Sequence, residues 1–528
     1  LKWLIIIFVI LILLYIVFFW TKPKQEEHDL SRMRAGDGRK KVIWLMVDSI
    51  MSHAIDEGIK KGELPALSFL LKNGQYQRNV VSSFPTMSVT IDSTLLTGTY
   101  PDQHRVPGLI WYNAEEKRIV NYGTGTGEVM RDGINQVLED AVIRLNQEHL
   151  SSNVSTVYEE LAKRGTRTGS INGMLYRGNT DHVLSFPPWL SGPTTLPARL
   201  SVKGPDFLAL GMFSNPLSNV TSTPDGLTDS LGLNDAYPLA VTRYLIEQDR
   251  MPDFTFVYLP DMDKPLHKKG PSDQSAIRTL DRELANLLNS FDSWNDALKQ
   301  YVWVVCGDSG QTGIHPKGQD PAIPLHQLLA DYRILPSGEQ ATTDTDLVLC
   351  VNERMAYLYL LNDSITISDM QQRLHDERID LIAWEEDGWI HVHRQPEDQE
   401  LRFRPGSAWT DPYGQSWEIE GEFKALDLAE GPDNSLDFGE YPDGLMRLYA
   451  AFHSHSGRFM IVTPAPGYEL VAQHSPTHIG GGGHGSLHRI DSHLPLIIAG
   501  TDQRPKHPRI VDLKEYILHL MDHRPSVD

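Results

Sequence analysis

Basic residues are in short supply in this chain. Lys and Arg total 48 against 69 Asp and Glu in 528 residues, a formal charge of −21. With no basic surplus to displace the counterions of a nucleic-acid backbone, no polymer of that kind is expected as the main partner. Cysteine is scarcer still: only Cys306 and Cys350 occur, each inside an apolar run. That excludes a disulfide framework and a cysteine-rich zinc module, and it makes both of them packed core residues. Internal repeats are absent. With 40% apolar and 22% charged residues the composition is that of a globular protein, long enough for one large α/β domain with insertions or for two to three ordinary ones.

What the chain does have begins with LKWLIIIFVILILLYIVFFW, residues 1–20, whose only charge is Lys2. As a helix it would span about 30 Å, the thickness of a bilayer core. No small-x-small cleavage site follows, so it reads as an uncleaved membrane anchor, with residues 21–40 as a polar stalk. Lys22, Lys24, Arg32, Arg34, Arg39, Lys40 and Lys41 come after it, and the positive-inside rule alone would place the body in the cytoplasm.

The body opens with KVIWLMVDS, and two more runs of the same kind are DFTFVYLPDMD and YVWVVCGDSG. Continuous apolar runs of strand length fit a mostly parallel sheet covered on both faces by helices. Helical segments separate them, such as residues 275–291 with Ile277, Leu280, Leu284, Leu287 and Leu288 on one face. The rhythm breaks over 334–440, where alternating strands such as DGWIHVHR and SWEIEGEF suggest a small α+β insertion. The catalytic domain is therefore expected over 41–333 and 441–528.

Each of the three apolar runs ends in an aspartate: Asp48, Asp263 and Asp308. Ligands of open α/β sheets collect beyond the carboxyl ends of the strands, so these carboxylates can converge. Asp263 and His267 are four residues apart just after a strand, and His484 sits on a glycine-rich turn. A carboxylate with two histidines is a common ligand set for catalytic zinc. Asp48 and Asp308 can form a second, oxygen-rich site beside it. Thr86 follows Phe-Pro at the expected start of a helix, where a hydroxyl held against a metal can become a nucleophile.

The order of five stretches resembles the type I phosphodiesterase/nucleotide pyrophosphatase family of the alkaline phosphatase superfamily: VIWLMVDS; SSFPTMSVTIDSTLLTGTYPDQH; YLPDMDKPLHKKGP; VVCGDSGQ; and GRFMIVTPAPGYEL with GGGGHGSLHRIDSHLPLIIAG. The resemblance implies an alkaline-phosphatase-like three-layer sandwich and a phosphoric ester hydrolase with two divalent metals. Asp48, Thr86 and Asp308 would hold one metal, and Asp263, His267 and His484 the other, with Thr86 as nucleophile. Zinc is the expected ion, and manganese, magnesium or calcium also suits the oxygen-rich site. The implied substrate is a small phosphoester such as a nucleotide or lipid head group, and the implied placement is a membrane-anchored body outside the cytoplasm.

Two positions depart from the family pattern. Ser309 stands where the family has a histidine, and Leu109 lies near where a phosphate-binding asparagine is expected. A retuned metal, a substitute ligand such as His315, or a site without turnover would each follow. The alternative function is accordingly a degenerate superfamily member acting as a binding or scaffold protein.

Overall fold

The computed structural model describes residues 22–26, 30, 38–124 and 126–527. The anchor expected over 1–20 lies outside the described residues, and among those described no helix is long and apolar enough to cross a membrane. Part of the expected stalk lies against the body: Lys22 pairs with Asp225, and Gln25 bonds to the backbone of Met212 and Asn215.

The protein is an α/β fold built on two seven-stranded sheets. The central sheet comprises β1 (Lys41–Val47), β2 (Gly74–Val81), β3 (Thr168–Ile171), β4 (Phe207–Ala209), β5 (Phe254–Leu259), β6 (Tyr301–Gly307) and, late in the chain, β14 (His493–Ala499). Their order across the sheet is β2-β14-β6-β1-β5-β3-β4. The three runs that end in aspartate form β1, β5 and β6, and every residue in them is buried. Residues on both faces of these strands meet apolar neighbours, which explains the absence of alternation in the sequence. The sheet is mixed. β1 runs parallel to β5 and β6, while β14 runs antiparallel to β6.

Register decides what this sheet can do. Val47 pairs with Gly307 on one side and Leu259 on the other, so the next residues, Asp48, Asp308 and Pro260, leave the same edge together. The helix that follows the second strand segment, α1 (Ser88–Thr97), and the short α3 (Asp263–Lys269) both start near that edge. Between them in sequence lies α2 (Ala236–Glu247), and after them α4 (Ser275–Leu288), which buries Ile277, Leu280, Leu284, Leu287 and Leu288 as the 3.6-residue spacing requires.

The second sheet holds β7 (Leu347–Asn352), β8 (Met355–Leu360), β9 (Ile379–Glu386), β10 (Trp389–Arg394), β11 (Gln399–Thr410), β12 (Ser416–Gly421) and β13 (Phe459–Pro464), in the order β7-β8-β13-β9-β10-β11-β12. The 334–440 stretch thus supplies six strands, and β13 comes from further along the chain. One apolar core joins this sheet to the central region, with Phe84, Ile110 and Tyr112 packed among Val348, Cys350 and Tyr357. Cys306 and Cys350 are both free and buried.

Candidate active site

The turn after β1 organises one half of the site. Ser49 takes a left-handed conformation with φ 59°, which aims its backbone N–H at Asp308 Oδ1 (2.8 Å) and its hydroxyl at Asp263 Oδ1 (2.7 Å). Gln311 donates to the same Asp263 oxygen at 2.7 Å. Tyr258, near the end of β5, donates its hydroxyl to Asp48 Oδ2 at 2.5 Å. Three carboxylates therefore share one buried corner. Burial, and then the charges of Asp308 and Asp263, hold the Asp48 carboxyl well above its ordinary range, and burial likewise raises Asp308.

The nucleophile segment places its two hydroxyls differently. Every residue from Val80 to Thr97 is buried except Ser88, which is half-buried. Thr86 has no exposure, and its Oγ1 accepts the N–H of Gly485 at 2.6 Å. Ser88 is the first residue of α1, where unsatisfied N–H groups favour an anion. Its Oγ donates to Asp308 Oδ2 at 2.8 Å. Of the two residues, Ser88 is the partly exposed one.

The other half contains nitrogen. Asp263, His267 and His484 present three donor atoms that lie within 4.8 Å of one another; His267 Nε2 is 2.9 Å from Asp263 Oδ2, and His484 Nε2 is 3.8 Å from Asp263 Oδ1. Both imidazoles are oriented by the backbone: Nδ1–H of His267 donates to the Gly482 carbonyl (2.7 Å) and Nδ1–H of His484 to the Thr86 carbonyl (2.6 Å). With Nδ1 so engaged, Nε2 is the nitrogen each ring turns toward a metal, which at His267 would take the place of the proton shared with Asp263. Against the effect of burial, the neighbouring Glu353 and Asp263 raise His267 to about 10, and His267 and His484 lower Asp263 to about 2. The glycine-rich loop is needed for this approach. At Gly485, with φ 123°, an added Cβ would lie 2.3 Å from the Asn352 carbonyl oxygen.

Asp48, Asp263, His267, Asp308 and His484 are thus gathered at one sheet edge. His315 is not among them, since its ring sits edge-on to Tyr468 and its N–H bonds to Gly467. Ser309 is fully buried with its hydroxyl lacking a hydrogen-bond partner, and the imidazole whose charge acts on Asp308 is that of His484. The backbone N–H of Leu109 is taken by Asn352 Oδ1 at 2.8 Å. The same oxygen accepts the Ile110 N–H, and Asn352 Nδ2 donates to the Ile110 carbonyl.

Sequence reasoning missed Ser88, Tyr258 and Glu353. Glu353 turns the β7–β8 hairpin with φ 53°, and its carboxylate lies 3.6 Å from His267 Nε2. A glutamate in a two-residue turn between apolar strands, where Asn or Gly is the usual choice, was the available signal. Beside the Asp48 corner, a cavity of about 370 Å³ is walled by Tyr122, Met174, Tyr176, Phe213, Tyr258 and Pro260.

The donor set suits divalent cations, because clustered buried carboxylates and inward-turned Nε2 atoms are what a cation would neutralise and bind. A family model described as type I phosphodiesterase/nucleotide pyrophosphatase matches residues 42–487. A search of curated proteins finds no significant match. Among solved structures, murine ectonucleotide pyrophosphatase/phosphodiesterase 5 is similar at 12% identity, with a TM-score of 0.52 over 93% of this chain and 96% of that one. An inactive threonine-to-alanine form of the murine protein, in complex with AMP, aligns at 11% identity over the same shares with a TM-score of 0.52. Phosphonoacetate hydrolase from Sinorhizobium meliloti 1021, in complex with phosphonoformate, is 14% identical, with a TM-score of 0.52 over 95% of this chain and 99% of that one. At these identities the likeness is one of fold.

Proposed function

The chain belongs to the type I phosphodiesterase/nucleotide pyrophosphatase family, a family of phosphoester hydrolases, and on that premise we propose that it hydrolyses a small phosphoester using Ser88, rather than Thr86, as nucleophile. The observation that carries this reading is Ser88, half-buried where its neighbours are fully buried, standing first in α1 with its hydroxyl donated to Asp308 Oδ2 at 2.8 Å. The murine relative's inactivation by a threonine-to-alanine exchange is the precedent for a hydroxyl in this role, which a serine fills with the same chemistry.

Asp263, His267 and His484 would hold one divalent cation, and Asp48, Ser88 and Asp308 a second, with Thr86 supporting the loop through Gly485. Bound there, the cations supply the positive charge that lowers the hydroxyl pKa and offsets charge on the phosphoryl oxygens. The chain's own part is to position and to move protons. Ser88 Oγ attacks phosphorus while its proton passes toward Asp308 Oδ2, and the departing ester oxygen takes a proton from water and leaves as an alcohol. The hydroxide left by that water then attacks phosphorus and breaks the serine–phosphate bond, and the proton held on Asp308 returns to Ser88 Oγ. The apolar cavity beside Tyr258 would take the aromatic or aliphatic part of the ester, such as a nucleoside or a lipid portion. Anchorage through residues 1–20 and an extracytoplasmic body complete the proposal. Full protection of the body from protease added to intact cells would refute that placement.

The test is hydrolysis of nitrophenyl phosphodiester and phosphomonoester substrates by the wild type, by Ser88→Ala and after chelation. Turnover that survives Ser88→Ala at the wild-type rate removes the nucleophile assignment. The all-oxygen corner around Ser309 favours one second reading, a binding protein without turnover. Less than one metal per chain and no hydrolysis with any of several divalent ions would select it.

A further inference from the structure

The metal half built from Asp263, His267 and His484 has a neighbour in the second sheet. His267, Glu353 and His478 form another set of donor atoms that lie within 4.8 Å of one another. Both sets contain His267, whose Nδ1 is engaged by Gly482, so both use the same Nε2. Two ions cannot share one imidazole nitrogen, so the two sets compete for one ion beside His267.

Within that site Glu353 is the better placed of the two additional groups. Its Oε1 is 3.6 Å from His267 Nε2, and its Oε2 is 3.9 Å from His484 Nε2. Adjacent donors bound at about 2.1 Å to one ion lie about 3.0–3.4 Å apart; Glu353 is within reach of His267 but does not fall in one 4.8 Å set with Asp263 and both imidazoles, so it joins their sphere by swinging toward them. His478 lies further out, with Nδ1 4.0 Å from Glu353 but 3.3 Å from Glu469, and both Glu469 oxygens accept its backbone N–H.

Glu353 is also fixed in position. The His484 N–H donates to Oε2 at 3.1 Å, which leaves Oε1 for an ion. The next residue, Arg354, is fully buried; it pairs with Asp491, donates to Thr312 Oγ1 at 2.8 Å, and gives its backbone N–H to the His484 carbonyl at 2.9 Å. Glu353 holds a left-handed backbone, φ 53°, which disfavours a residue with a Cβ. A glutamate there is accounted for by what its carboxylate does.

We propose that Glu353, carried by the β7–β8 turn of the second sheet, is a fourth protein ligand to the metal held by Asp263, His267 and His484. The inference rests on the metal site of the proposed function. Its consequence is one tightly held ion with few open positions beside a weakly held one.

The experiment uses the full chain stripped of metal. Zn²⁺ is titrated against a chromophoric chelator, and the absorption of the Co²⁺-loaded protein is recorded, for wild type, Glu353→Gln, His478→Ala and Asp263→Asn. Glutamine keeps a carbonyl oxygen for the His484 N–H, and an unchanged thermal midpoint of metal-free Glu353→Gln checks that the fold persists. Glu353→Gln is expected to weaken the tighter Zn²⁺ at least about tenfold and to shift the Co²⁺ bands, while His478→Ala stays within about threefold of wild type. Wild-type affinity and an unchanged Co²⁺ spectrum in Glu353→Gln would overturn the inference alone. Equal binding by wild type and Asp263→Asn would overturn the metal site itself and the inference with it.

Discussion

At the Asp263 end of the site two imidazoles each give Nδ1–H to a backbone carbonyl and turn Nε2 inward, whereas at the Asp48 end the donors are carboxylates and a serine hydroxyl. One half is preorganised by the backbone and offers nitrogen. The other is organised by side-chain hydrogen bonds among Ser49, Ser88, Tyr258 and three carboxylates that repel one another. Softer, imidazole-preferring ions suit the first, and hard oxygen-preferring ions suit the second. Where Ser309 stands, the difference between the halves is widened, because the position next to Asp308 carries no nitrogen.

That contrast is broken most directly at the nucleophile. Ser88→Ala is expected to lower turnover of a nitrophenyl phosphodiester by at least about 10³-fold with the tighter metal retained, as read by steady-state kinetics and metal analysis on the same sample. Selective removal of metal comes next. A mild chelator is expected to take the ion of the oxygen half first and to reduce activity about 100-fold, with Mg²⁺ or Mn²⁺ restoring it. Simultaneous loss of both ions would mean that the halves do not differ in affinity. Ser309→His should narrow the contrast, raising Zn²⁺ affinity at the oxygen half about tenfold in a competition titration. The smallest effect is expected at Thr86: Thr86→Val should lower turnover less than about tenfold and cost about 1–3 kcal/mol of stability, because the Gly485 N–H loses its acceptor. A loss from Thr86→Val as deep as that from Ser88→Ala would return the nucleophile role to Thr86.

The parts of the fold that could be read from the sequence were those with one dominant cause. Continuous burial of β1, β5 and β6 leaves unbroken apolar runs; Asp48 and Asp308 follow directly where β1 and β6 meet the sheet edge, and Asp263 follows β5 at the start of α3. Ser88 was harder. PTMS offers two hydroxyls two residues apart, and which of the two residues is partly exposed depends on where α1 starts and on the Gly485 loop, some 400 residues away. Glu353 was harder again, since nothing local says that the turn between β7 and β8 reaches His267. That contact follows from the docking of one sheet against the other through Phe84, Ile110 and Val348.

The distances along the chain at this site also bear on when it can exist. Its side chains come from positions 48, 88, 263, 267, 308, 353 and 484, and contacts between residues so far apart form late and slowly. A growing chain lacks the second imidazole until residue 484 has been made, well after the three strands that carry the carboxylates. On the proposed reading, an ion cannot settle in the nitrogen half before then, and which ion enters is set by the supply where the chain folds.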